Sequence, residues 1–104
     1  MYKLKFMFDW GSGICLWSNN EESMNKFGDY PIDTRALPIS EKLKTELEHL
    51  IDWHDEALNW DDPSSDLLWD DSQIQNFLTE AKKAYRNLCN EMGEDYEIEF
   101  FDKM

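Results

Sequence analysis

The feature that most constrains this chain is a pair of apolar stripes with helical period. Leu43, Leu47, Leu50, Ile51, His54 and Leu58 recur every three or four residues, and so do Ile74, Phe77, Leu78, Ala81, Tyr85, Leu88 and Met92. On a 3.6-residue helix each set lies on one face. The spacing predicts a helix from about Glu41 to Trp60 and a second from Asp70 or Asp71 to Met92. Ser40 is placed to cap the first, and Glu41 suits the positive end of its dipole. Pro63 lies past its end. Asp70 with Gln73 has the spacing of a capping box, and Gly93 fits a C-cap. Two helices with one apolar face each need a shared surface to bury them.

The ends of the chain supply that surface. Tyr2, Leu4, Phe6 and Phe8 alternate with Lys3, Lys5 and Met7, which is strand period. "DWGSG" (9–13) offers turn residues and "ICLWS" (14–18) reads as the returning strand of a hairpin. "YEIEFF" (96–101) alternates again. Residues 19–38 keep no period and contain Gly28, Pro31 and Pro38, so they are expected to form a long ordered loop pinned by Phe27, Tyr30 and Ile32. The expected fold is therefore α+β in ββααβ order. It has a three-stranded antiparallel or mixed sheet with two long helices on one face, and it forms a single domain over 1–104. If the last strand lies beside the first, Lys3 and Lys5 complement Glu97 and Glu99.

A length of 104 residues suits one domain, and 14% aromatic content separates this chain from a disordered acidic tail. The net charge of −13 argues against nucleic acid, whose phosphates need Lys and Arg, and against anionic membrane surfaces. The partners it allows are cations and basic proteins. No run has the length of a membrane span, and the start shows no leader pattern, so a cytoplasmic location is expected. Cys15 and Cys89 could form one disulfide, but two thiols in such a chain are expected to stay reduced.

The charge is concentrated. Between Lys44 and Lys82 lie 37 residues without a Lys or Arg, holding eleven of the 23 acids. Asp70 and Asp71 suit the start of a helix. Asp52, Asp55, Glu56, Asp61 and Asp62 crowd the end of the first predicted helix, where the dipole is negative and each costs some tenths of a kcal/mol. An arrangement that opposes stability points to another use. "LNWDDPSSDLLWDD" (58–71) sets five of the acids around two tryptophans, and four of the five tryptophans adjoin an Asp. A solvated acidic face explains the charge alone, but large aromatics beside it suit an interface. The candidate partner-binding residues are Trp53, Glu56, Trp60, Asp61, Asp62, Asp66, Trp69 and Asp70, with Trp60 and Trp69 as apolar anchors.

No catalytic signature stands out. His49 and His54 are five apart, on different faces of a helix, unlike the paired histidines of a zinc site. His54 sits in the apolar stripe and reads as a core residue. "DDPSSD" lacks the length and central Gly of a calcium loop, "GSG" does not open a helix, and neither Cys has a base beside it. No metal or other cofactor is expected.

"KFMFDWGSGICLWS" and "LNWDDP" resemble a group of small acidic bacterial proteins, and the chain is similar in size and layout to immunity proteins of bacterial toxin systems, including contact-dependent growth inhibition. Such proteins are single-domain and cytoplasmic, and many block a basic nuclease toxin. Their folds and surfaces differ, so the resemblance carries over a class of function and no binding residue. The expected function is non-enzymatic: binding and neutralising a basic toxin. The alternative is a small carboxylate-based enzyme or ligand-binding domain, and the two separate on whether polar groups converge in a concave site.

Overall fold

The computed structural model describes residues 1–101. Within these residues four strands and three helices follow one another: β1 (Tyr2–Phe6), β2 (Leu16–Ser18), α1 (Glu21–Phe27), β3 (Pro31–Ile32), a 3-10 turn (Thr34–Ala36), α2 (Glu41–Asp55), α3 (Asp71–Met92) and β4 (Tyr96–Phe100). The sheet is mixed, in the order β3-β2-β1-β4. β1 and β2 form the expected hairpin. β1 and β4 run parallel with Lys3 opposite Glu97 and Lys5 opposite Glu99, the register that charge complementarity favours.

Three of the sequence expectations need correction. The sheet has four strands rather than three, and there are three helices rather than two, because residues 19–38 are not all loop. Asn20 accepts the Ser23 N–H to start α1, and Gly28 ends it at φ +84. Seven residues make fewer than two turns, and β3 has only two residues, so neither element is long enough to show a period. Phe27 and Ile32 pin this stretch as expected, whereas Tyr30 stays 37% exposed against the Trp17 ring. The third correction concerns α2, which stops at Asp55 rather than Trp60.

One core holds the layers together. Leu4, Phe6, Leu16, Ile32 and Ile98 from the sheet meet Leu43, Leu47, Leu50 and Ile51 of α2 and Phe77, Ala81, Ala84 and Leu88 of α3. The caps are as the sequence predicts. Ser40 accepts the Leu43 N–H, Asp70 and Gln73 form a reciprocal capping box, and Gly93 closes α3 at φ +86. Cys15 and Cys89 are free thiols.

Candidate functional site

The last turn of α2 carries Asp52 and Asp55, with Glu56 at the C-cap, and no Lys or Arg to match the exposed carbonyls. Two indoles take that role. Trp10, from the β1–β2 turn, donates its N–H to the His54 carbonyl at 2.8 Å, and Trp60 donates to the Asp55 carbonyl at 2.8 Å. An N–H dipole aimed at the carbonyls satisfies the helix end as a cationic side chain would. This is why the helix stops: Trp60 can reach back to Asp55 only if the chain has left the helical path. Trp53 and Trp60, seven apart, therefore do not share a helix flank.

The β1–β2 turn is locked onto the same point. The Gly11 N–H donates to the Asp55 carboxylate at 3.1 Å, and a Cβ on Gly11 would meet the Trp60 ring at 3.3 Å. Gly11 also sits at φ +80, so both backbone and space call for glycine. The outer edge of the Trp60 indole lies against this turn, yet the residue remains 54% exposed.

Beneath lies an aromatic layer. His54 is buried, stacked on Trp10 with ring centroids 4.5 Å apart and flanked by Phe8 and Phe77. Burial lowers its pKa from 6.5 to about 4, against the weaker pull of Asp55 and Asp9. His54 is thus a neutral core residue. Trp53 and Trp69 are half-buried and meet each other and Phe77.

Residues 56–70 span this layer as a tied loop. Leu68 N–H bonds the Ala57 carbonyl at 2.8 Å, closing its base. Asn59 Oδ1 accepts from the backbones of Asp61 and Asp62, and Ser64 donates to the Asp62 carboxylate at 2.8 Å. Asp61, Asp62 and Asp66 are exposed at its rim. Asp61 and Asp62 therefore occupy a turn beyond the helix, not its last turn.

The eight predicted residues divide into groups. Trp60, Asp61 and Asp62 share the exposed turn, and Asp66 lies further along the same loop. Trp53 and Trp69 pack together as supports. Asp70 is engaged as the N-cap of α3. Trp53 and Glu56 line a groove of about 380 Å³ with His49 and Asp52. All four are presented by α2 alone, so no second element brings polar groups toward them. Among the described residues no ring contact joins Trp60 to Trp53 or Trp69, so the two intended anchors are separate. Sequence reasoning missed Trp10, Gly11 and Asp55, which hold the turn, and Leu68, which is 61% exposed. The signal for Trp10 and Gly11 was the absence of any cation at the end of α2: donors had to come from elsewhere.

Chemistry at other points is sparse. Burial pushes the Cys15 thiol up to about 12, which removes it as a nucleophile. Among the described residues no group of three or more His, Cys, Asp or Glu is placed to hold a metal, and no helix is long and apolar enough to cross a membrane. A family model described as Serratia CdiI immunity protein-like matches residues 2–103 of the chain. No curated protein matches it.

Proposed function

The chain belongs to the Serratia CdiI immunity protein-like family, and on that premise we propose that it neutralises a cognate contact-dependent inhibition toxin by binding it. The toxin is a basic protein, nuclease-type in class, met in the cytoplasm of the producing cell. Neutralisation is by occlusion, without catalysis and without a cofactor.

The observation that carries this reading is Trp60, a large aromatic held half out of the surface by Asp55 and Gly11 within a segment that has no Lys or Arg. A fixed ring loses little freedom when a partner covers it, which is the character of an interface hot spot. Asp61, Asp62 and Asp66 surround it, with Glu56 close by on α2 and Leu68 adding apolar area. Opposed charge speeds encounter and makes binding salt-dependent. Trp53 and Trp69 contribute as the floor under the loop, and Asp70 as the start of the helix behind it. The enzyme alternative draws less support, since the acidic groove on α2 is lined from one helix only.

The test is a protection assay in cells that express the cognate toxin, paired with binding measurements on purified proteins. Asp61→Asn with Asp62→Asn should weaken binding by about 1–3 kcal/mol and reduce its salt dependence. Thermal stability should stay within about 0.5 kcal/mol of wild type, because both side chains are exposed. Undiminished binding at low and moderate salt would remove this loop from the interface.

A further inference from the structure

The sheet has two edges of different character. β3 is two residues long and begins with Pro31, a blunted edge. β4 is five residues long, contains no Pro, and pairs residue for residue with β1 without a bulge. Two bonds give its orientation: the Tyr2 N–H donates to the Asp95 carbonyl, and the Phe101 N–H donates to the Phe6 carbonyl. In a parallel pair, alternate residues turn both backbone groups toward the neighbour. Residues 95, 97, 99 and 101 therefore face β1, and Tyr96, Ile98 and Phe100 present theirs to the open side. The Tyr96 N–H is taken by the Gly93 carbonyl, and the Ile98 carbonyl by the Tyr85 hydroxyl at 2.6 Å. Among the described residues nothing takes the N–H of Ile98 or Phe100.

The side chains state what could pair there. Ile98 and Phe100 turn to the core face, and Glu97 and Glu99 stand exposed on the other. A second copy of β4 laid antiparallel along this edge would set glutamates against glutamates, which disfavours self-association. A strand with Lys or Arg at alternate positions would instead extend the row that Lys3 and Lys5 begin beside Glu97 and Glu99. The edge also points toward the acidic loop. Phe101 lies beside Phe6, and β1 runs on from there through Phe8 and Trp10 to Gly11, which holds Asp55.

We propose that the open edge of β4 receives an extended basic strand of the toxin, so that the partner is held by strand addition as well as by the acidic loop. This rests on the reading of the partner as a basic protein. Main-chain bonds supply the attachment, and alternate side chains supply selectivity.

The test uses the intact chain and no toxin. The probe is a seven-residue peptide with blocked ends and alternating Lys and Val. At saturating peptide, amide exchange at Ile98 and Phe100 should slow by roughly tenfold or more, while Glu97 and Glu99, already bonded to β1, stay unchanged. Two further peptides carry N-methyl groups on one or the other alternate set of residues. Only the set facing β4 should abolish protection. Glu97→Gln with Glu99→Gln should weaken peptide binding by roughly threefold to tenfold. No binding, protection that survives either methylation pattern, or resonance changes confined to residues 56–70 would each overturn strand addition. Such a result leaves the toxin-binding reading to its own protection assay.

Discussion

Two helix ends of this protein carry aspartates, and the same residue type does opposite things at them. At the start of α3, Asp70 accepts the Gln73 N–H and Asp71 follows in the first turn, where the exposed N–H groups favour negative charge. At the end of α2, Asp52, Asp55 and Glu56 stand by the last carbonyls with no Lys or Arg in that turn. Their charge opposes the dipole, and the N–H groups of Trp10 and Trp60 satisfy the carbonyls instead. Acids at the first end explain themselves as structure. At the second, Asp55 has the Gly11 N–H to accept, whereas Asp52 and Glu56 need another reason to be there, which the proposed partner binding would supply.

The sharpest way to probe the second end is pH, because His54 lies within it. A protonated histidine would suit a helix C-terminus, but burial holds His54 neutral, with its pKa near 4. Between pH 6.5 and 4 the unfolded chain takes up a proton here and the folded protein does not. Stability is therefore fully present above pH 6.5 and falls as the pH drops toward 4, by up to about 3 kcal/mol. Urea midpoints measured across that range should slope for wild type and lose that part of the slope in His54→Leu, a substitution expected to keep the fold because it leaves an apolar side chain in the aromatic layer. Equal slopes in the two proteins would mean that His54 is charged or accessible, and the aromatic layer is not as described.

Removing the cap at the favourable end comes next. Asp70→Ala should cost about 1–2 kcal/mol by chemical unfolding, since it breaks both halves of the capping box. Trp60→Phe keeps an aromatic side chain at this position but deletes the donor to Asp55. Its cost should be smaller, about 0.5–1.5 kcal/mol, because the Leu58 N–H also approaches that carbonyl at 3.4 Å. If Trp60→Phe is neutral, the indole is not capping α2.

The smallest effects discriminate most directly between the two ends. Glu56→Lys should stabilise by about 0.3–1 kcal/mol and Asp71→Lys should destabilise by a similar amount, both fading in high salt. Changes of the same sign in the two thermal melts would show that the protein responds to total charge and not to where the charge sits. Glu56→Lys should also impair toxin protection while raising stability, a separation that a purely structural role for Glu56 does not allow.

Much of the fold was legible because the signals were long or repeated. Leu43 to Leu50 and Phe77 to Leu88 kept helical period over several turns, Ser40 and Asp70 stood at the right distance to cap them, and Tyr2 to Phe6 alternated cleanly. That β4 could lie beside β1 was legible from two Lys–Glu matches, but the parallel direction was not, because the same charges complement one another either way round. α1 and β3 were not, since each is shorter than the period that would announce it. The acidic, tryptophan-bearing make-up of the candidate segment was legible, but which of its rings stand exposed and which pack inward was not. Trp69 is half-buried against Phe77 and Trp53, contacts made by residues distant in sequence that its position beside Asp70 does not announce.

What the sequence determined by itself is the set of local demands: two amphipathic helices, their N-terminal caps, strands at both ends, and a segment whose negative charge no nearby cation relieves. These depend on neighbours a few residues apart along the chain. Only the tertiary structure decided where α2 stops, which ring covers Gly11, and which edge of the sheet is left open. Trp10 lies 44 residues before the carbonyl it caps, and the β4 edge exists only once β1 has found β4 across the whole chain. Contacts between distant segments depend on how the chain closes in space, and that closure is set by the burial of all the apolar faces together.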